Sequence, residues 1–189
     1  MIQFCDVTFG YDNKVIFEHL TCTFPQPGNI ALMGPSGDGK TTLLRLICGL
    51  EKPWSGTIQG TEGLKISYLF QENRLLPWCS ALENLSLVCQ REQAERMLDL
   101  LGIDSPDKLP SAFSGGQQRR IALARALCFG GDLLIMDEPF KGLDEKTRLV
   151  CIRQIWKSGM PVIFTTHDEQ EPEMLDARIF RTEQMKQRD

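Results

Sequence analysis

No stretch of this 189-residue chain approaches the roughly 18 consecutive apolar residues that a membrane-spanning helix needs. No secretory leader is expected, because Asp6 interrupts the first apolar stretch. Seven cysteines are present, yet no CxxC pair occurs, and the odd count with scattered spacings matches no zinc pattern. Most sit among apolar neighbours, as in Leu46-Ile47-Cys48 and Leu127-Cys128-Phe129. They read as small buried hydrophobes in a reducing compartment. Excess base is lacking too: 21 Lys and Arg stand against 25 Asp and Glu, with a formal charge of −4 and a pI near 5.3. That balance argues against a generic nucleic-acid binder. There is no internal repeat and no low-complexity segment. A cytosolic protein is the expectation, with any membrane role reached through a partner.

What remains is an ordinary globular composition, 42% hydrophobic and 24% charged. The length suits one core, or one core with a small inserted lobe. Alternation through Ile2, Phe4, Val7 and Phe9, a turn signal at Gly10–Asn13, and further alternation from Val15 to Phe24 predict an antiparallel, hairpin-rich start. Asn29 to Met33 is a short apolar strand leading into a glycine-rich loop. Residues 41 to 50 follow with a helical stripe of Leu43, Leu44, Ile47 and Leu50. Lys65 to Phe70 reads as another strand. Ser80 to Cys89 and Arg91 to Leu101 look helical, with Gly102 as a stop. A strong helix is expected over Gln117 to Leu127. Buried strands follow at Leu133 to Met136 and Val162 to Thr166, with a helix between them. The polar tail from Glu183 to Asp189 is expected to fray.

The sharpest motif is Gly34-Pro35-Ser36-Gly37-Asp38-Gly39-Lys40-Thr41, which fits G-x-x-x-x-G-K-[ST]. A chain of this composition would contain about 0.007 such matches by chance. Glycines let backbone N–H groups close around phosphate oxygens, and the following helix adds positive potential. Lys40 can reach the β- and γ-phosphates, and the Thr41 hydroxyl can ligate Mg²⁺. Asp38 is an acid inside an anion cradle, tolerable only if its side chain turns away from the phosphates. In Leu133–Glu138 two acids end a buried strand, where ligands sit in parallel α/β sheets. Asp137 can hold the Mg²⁺ shell and Glu138 can polarise an attacking water. Ser114-Gly115-Gly116-Gln117 opens a helix and forms a second phosphate-ready N-terminus. A head-to-tail dimer explains two such devices, each chain completing its partner's site. Arg119, Arg120 and Arg125 read as a solvated helix face or as salt-bridge partners. His19 has no context that suggests a role.

With these motifs in order, the chain resembles the ATP-binding subunit of an ABC transporter over nearly its whole length. Gly34 to Thr42 resembles the Walker A loop, and Phe113 to Gln117 the LSGGQ signature, with Phe113 where Leu is usual. Leu133 to Glu138 resembles Walker B with its catalytic glutamate. The resemblance implies that Tyr11 stacks on adenine, although Tyr11 could equally cap the hairpin. It implies that Gln71 senses Mg²⁺ and the attacking water, that Gly142-Leu143-Asp144 is the D-loop, and that His167 is the switch histidine near the γ-phosphate. Arg119 stands where Gln is frequent and Gly142 where Ala or Ser is commoner. The implied fold is α/β: a P-loop NTPase core with a mostly parallel sheet, an N-terminal antiparallel β subdomain and an inserted α-helical subdomain. The expected division is a single ABC ATPase domain over 1–189. Residues 1–71 and 114–189 would form the RecA-like core with its β subdomain, and 72–113 the helical subdomain. ATP and Mg²⁺ are the implied cofactors. The implied partners are a second copy in the ATP-bound state and integral membrane permease subunits with a solute-binding protein. No nucleic acid is implied. The expected location is cytoplasmic, peripheral at the inner face of the membrane.

Glu72 to Trp78 contains Leu-Leu-Pro-Trp just after Gln71. This stretch either docks a membrane subunit or packs Trp78 inside the lobe. Its wording resembles importers of the nitrate, sulfonate and taurine type. Two alternatives stand beside a transport ATPase. One is a non-transport ABC ATPase of the translation or repair kind. Only 73 positions separate Thr41 from Ser114, too few for the coiled coil that repair members carry there. The other is a regulatory module that binds ATP without turnover, which the presence of Gln71, Asp137, Glu138 and His167 opposes. With 22 residues after His167, a minimal cassette is expected.

Overall fold

Alternation along the first 24 residues becomes an antiparallel sheet, but not in one unbroken phase. In the computed structural model, which describes residues 1–12, 14–25 and 28–186, the chain order is as follows. The strands are β1 (Ile2–Tyr11), β2 (Lys14–Phe24), β3 (Asn29–Met33), β4 (Ser55–Gln59), β5 (Ile66–Leu69), β6 (Leu133–Asp137), β7 (Val162–Thr165) and β8 (Ala177–Arg181). The helices are α1 (Lys40–Ile47), α2 (Ala81–Ser86), α3 (Arg91–Leu100), α4 (Gly115–Phe129), α5 (Glu145–Ser158), α6 (Glu171–Met174) and α7 (Thr182–Lys186), with a 3-10 turn at Pro110–Ala112. They fall into two compact units, Met1–Leu64 with Pro161–Asp189, and Lys65–Met160.

In the first unit β1 lies between β2 and β4, antiparallel to both. Ile2, Phe4, Val7 and Phe9 are all buried. Strict alternation would put Val7 on the face opposite Phe4. The strand pairing shifts between these two residues, and Asp6 takes a left-handed φ of 56°, so a bulge returns Val7 to the core. The hairpin closes where Tyr11 pairs with Lys14. Asn13 of the expected turn lies outside the described residues.

The same unit places β3 between β7 and β8, parallel to both. Ile30 to Met33 are all buried, the continuous apolar run of a strand covered on both faces. Asn29 stitches its neighbours together, with Nδ2 donating to the Leu175 carbonyl at 2.6 Å and Oδ1 accepting from the Val162 amide at 3.0 Å. Phe24 packs edge-on against Phe4 and Phe180, with centroids 5.8 and 5.1 Å away. Leu43, Leu44 and Ile47 bury one face of α1, as the stripe predicts. Leu50 does not join them: α1 stops at Ile47, Gly49 turns at a φ of 68°, and Leu50 is exposed. The tail is more ordered than its polarity suggested. Thr182–Lys186 forms α7, Met185 is buried, and Thr182 donates through Oγ1 to the Met33 carbonyl at 3.3 Å. Residues 187–189 lie outside the described residues.

In the second unit β5 and β6 pair in parallel, with Leu69 opposite Met136. Helices α2, α3 and α4 pack on one another, and α4 also packs on β5 and α5. Ser80 and Glu83 form a capping box that starts α2. Buried Asn84 is fully used: Nδ2 donates to the carbonyls of Leu76, Cys79 and Ser80, and Oδ1 accepts from the Leu76 amide at 2.8 Å. It thereby organises the loop that precedes its own helix. Gly102 ends the α3 region at a φ of 68°, the stop its position predicts. All seven cysteines are free thiols, with Cys128 and Cys151 buried and the others half-buried. No helix among the described residues is long and apolar enough to cross a membrane.

Candidate functional site

The loop Gly34–Gly39 leaves the end of β3 and opens α1. Pro35, Ser36 and Gly37 are exposed, Asp38 and Thr41 are half-buried, and Lys40 and Thr42 are buried. Gly39 is the N-cap of α1; no side chain caps that helix and no acid lies in its first turn. An uncapped helix start of this kind is suited to an anion. The Lys40 ammonium folds back over the loop, donating from Nζ to the carbonyls of Gly34 at 2.7 Å and Pro35 at 2.8 Å. Gly39 has a φ of 95°, and a Cβ there would stand 2.6 Å from Cζ of Phe17. A Cβ on Gly34 would stand 2.0 Å from Oγ1 of Thr182. Gly37, at a φ of 82°, faces open space. The loop is thus packed tightly at both feet and open at its crown, a shape that fits a phosphate chain. Asp38 donates its amide to the Pro35 carbonyl at 3.3 Å. Its Oδ2 is buried, 3.4 Å from where a Gly34 Cβ would lie, which sets the carboxylate against the foot of the loop.

Two further candidates belong to this unit. Tyr11 closes the hairpin and also keeps its ring 37% exposed, so the two readings of it are compatible. It meets Phe9 edge-on at 5.1 Å, and its hydroxyl accepts from Nη1 of Arg45 at 3.5 Å. His167 is exposed and follows β7. Leu32 of β3 pairs with Thr165 of β7, so the phosphate loop and His167 leave from adjacent strand ends. The turn carrying His167 is anchored by Thr166, whose hydroxyl donates to Oε2 of Glu171 at 2.5 Å and accepts from the Asp168 amide at 3.0 Å.

In the second unit the pairing of β5 with β6 brings Gln71 and Glu138 together just beyond the two strand ends. Nε2 of Gln71 donates to Oε2 of Glu138 at 3.3 Å. Lys141 donates to the same oxygen at 2.7 Å. Asp137 is 2% exposed at the end of its strand, and Glu138 holds a left-handed φ of 49°. Strained backbone of this kind is found preferentially at functional sites.

Ser114 is the N-cap of α4. Its Oγ accepts from the Gln117 amide at 3.3 Å, and Oε1 of Gln117 accepts from the Ser114 amide at 2.9 Å. Ser114 and Gly115 are exposed, while Phe113 is buried as the anchor. A Cβ on Gly116 would lie 3.4 Å from Cδ2 of Leu143, so the turn that opens α4 abuts Gly142-Leu143. Asp144 caps α5, accepting from the Thr147 amide at 2.9 Å and the Thr147 hydroxyl at 2.7 Å. These hydrogen bonds, with the distant Arg120 charge, hold its carboxyl below the usual range.

The three arginines of α4 overturn the expectation of a solvated face. Arg119 is 4% exposed and donates to backbone carbonyls on both sides of the Gln71–Glu138 pair. Arg120 donates to the carbonyls of Leu101 and Gly102 at the end of α3. Arg125 donates to those of Asn73 and Arg74. They are internal ties between segments, because backbone carbonyls left unpaired in the packed lobe would be costly. Burial lowers the Arg119 guanidinium to about 10, against the opposing pull of Asp137 and Glu138, so it stays charged at neutral pH. Arg119 and Lys141 are the neighbours of Glu138 that sequence reading missed. A signal existed for Arg119: it shares a helix face with Ala122, Leu123 and Ala126, all buried.

The ABC transporter family profile matches residues 17–141. The aliphatic sulfonates import ATP-binding protein SsuB 1 of Paracoccus denitrificans (strain Pd 1222) is 39% identical over 179 residues, covering 90% of this chain and 74% of that protein. The SsuB 1 protein of Rhodococcus jostii (strain RHA1) is 44% identical over 167 residues, covering 82% and 68%. SsuB of Escherichia coli (strain K12) is 37% identical over 194 residues, covering 95% and 76%. Among solved structures, the dimeric post-hydrolysis state of the ATP-binding cassette MJ0796 bound to ADP and Pi superposes with a TM-score of 0.83 at 27% identity, covering 96% of this chain and 94% of that one. Motif order, fold and relatives agree: the chain belongs to the ABC transporter family, as one of its ATP-binding, ATP-hydrolysing subunits.

Proposed function

We propose that this subunit energises import of a small organic solute of the aliphatic sulfonate class through separate membrane subunits. The observation that carries the reading is the Lys40 loop, uncapped at α1 and open at Gly37. The similarity to three import ATP-binding proteins supports the substrate class. The alternatives in translation, repair or ATP sensing are not favoured.

In this reading Gly34 to Thr42 cradle the phosphates of ATP, and Lys40 exchanges its two loop carbonyls for phosphate oxygens. Tyr11 stacks on adenine. Thr41, Gln71 and Asp137 supply the hydroxyl, amide and carboxylate oxygens that Mg²⁺ favours. The metal, when bound, offsets phosphate charge. Glu138 accepts the proton of the attacking water, and His167 steadies the γ-phosphate. Ser114, Gly115, Gly116, Gln117 and Asp144 complete the site of a second copy, which the dimeric state of the related cassettes supports. Residues 72–113 form the helical lobe that meets the membrane subunit. Trp78, 72% exposed, supports docking over internal packing. In this reading the protein works at the inner face of the membrane, held there by its partners.

Glu138→Gln is expected to bind ATP, lose turnover and elute as a dimer in size-exclusion chromatography. A variant that stays monomeric with ATP and turns over at the wild-type rate contradicts the mechanism. Deleting the gene is expected to abolish growth on an alkanesulfonate as sole sulfur source; unchanged growth and uptake argue against the substrate class.

A further inference from the structure

The Arg119 side chain makes six hydrogen bonds that no proposed catalytic role uses. Nη1 donates to the carbonyls of Phe70 at 2.5 Å and Gln71 at 3.3 Å, and to Oδ1 of Asn73 at 3.4 Å. Nη2 donates to the carbonyls of Asp137 at 2.5 Å and Glu138 at 2.9 Å. Nε donates to the Pro139 carbonyl at 3.1 Å. One planar guanidinium thus bridges the loop that carries Gln71 and the strand end that carries Glu138. Three consecutive carbonyls, 137 to 139, turn towards it. That convergence accompanies the left-handed φ of 49° at Glu138, a conformation that surrounding bonds must hold in place.

The position of the clamp on α4 adds a second element. Arg119 sits five residues after Ser114, in the second turn of the helix whose first turn is the signature. Helix α4 is closed at this end by a complete capping box, and Arg119 lies on the same continuous helix. A tilt or slide of its N-terminus therefore carries the guanidinium with it, and with the guanidinium go both loops.

We propose that Arg119 is a positioning residue which couples the signature helix to the pose of Gln71 and Glu138, so that the water site is assembled only when α4 is seated. The proposal rests on the reading of Gln71 and Glu138 as the residues that handle the attacking water. Gln in place of Arg119 has a shorter side chain and a single amide group, and cannot span both loops. Lys keeps the charge and loses the planar fork.

The test uses the purified full chain and measures ATP turnover against ATP concentration. Arg119→Gln is expected to lower kcat about tenfold and to change KM less than threefold, because the Lys40 loop is untouched. Arg119→Lys is expected to retain an intermediate kcat. In a Gln71→Ala background, Arg119→Gln is expected to cost clearly less than its tenfold in the wild-type background, since the part of its effect that runs through the Gln71 side chain is gone. If Arg119→Gln fails to fold by circular dichroism, the same cycle is read with Arg119→Lys. A kcat within twofold of wild type for the variant read, or the same fold-loss repeated in the Gln71→Ala background, overturns the proposal. Turnover of Glu138→Gln at the wild-type rate would instead remove the site assignment beneath it, so the two failures come from different variants.

Discussion

Nζ of Lys141 lies 2.7 Å from Oε2 of Glu138, the oxygen that also accepts from Nε2 of Gln71. In the proposed mechanism Glu138 is the side chain that takes a proton from water. An oxygen already accepting from an ammonium and an amide is less available to do so. The Lys141 side chain is 68% exposed, which limits the pair to about 1 kcal/mol or less. Lys141→Ala is therefore expected to raise kcat for ATP about two- to fivefold, by the relation between barrier and rate. The thermal midpoint should hardly move. A fall in kcat would show that the pair holds Glu138 in its working position.

Two capping boxes in one chain provide an internal control. Ser80 and Ser114 cap α2 and α4 with the same pair of bonds. Replacing either by Ala is expected to cost about 1 kcal/mol of stability in urea denaturation. Only Ser114→Ala should also slow ATP turnover, because only that cap is part of the proposed ATP site. Equal turnover in both variants would limit Ser114 to capping.

The glycines of the phosphate loop are not interchangeable. Gly39→Ala must place a Cβ 2.6 Å from Cζ of Phe17 and 2.8 Å from Cγ2 of Ile16, on a backbone at a φ of 95°. A loss of about 3 kcal/mol or more is expected. Gly37→Ala meets nothing within 4 Å and carries only the backbone term, about 1–2 kcal/mol. Urea midpoints of the two variants measure the difference directly.

His19 and Asp6 pair at 2.7 Å on the exposed side of the β1–β2 hairpin, each at a positive φ. The hydrogen bond to Asp6, and then its charge, raise the His19 imidazole above its ordinary 6.5. The stabilisation is fully present below 6.5 and fades as pH rises through the higher folded value. NMR titration is expected to find the His19 ring titrating above 6.5, and Asp6→Asn should return it towards 6.5. Added salt should weaken the shift, since both groups are exposed.

How far these features can be read from the chain alone differs from residue to residue. Gly34 to Thr41 was legible because a phosphate cradle is built from consecutive residues, and so was Leu133–Glu138 as an apolar run ending in acids. The helix stripe at Leu43, Leu44 and Ile47 was legible, but its end was not. Gly49 stops the helix region, and Leu50 keeps the right spacing without the right surroundings. Strands β4 and β8 escaped notice. Neither strand has a fully buried residue, so neither shows a periodic apolar face.

The amino-acid sequence by itself determined the anion cradle, the order of the motifs, the buried strand ahead of Asp137 and Glu138, and the capped start of α4. Each depends on residues only a few positions apart. Tertiary structure alone decided that Arg119 faces inward and that one lysine shares the oxygen of Glu138 with Gln71. It also decided that a bulge at Asp6 brings Val7 back to the face of Phe4. The bond from Arg119 to Phe70 spans 49 positions, and the one from Gln71 to Glu138 spans 67. No local rule of spacing reaches that far. Partners of that kind are chosen by strand pairing and by the cost of leaving buried carbonyls unpaired.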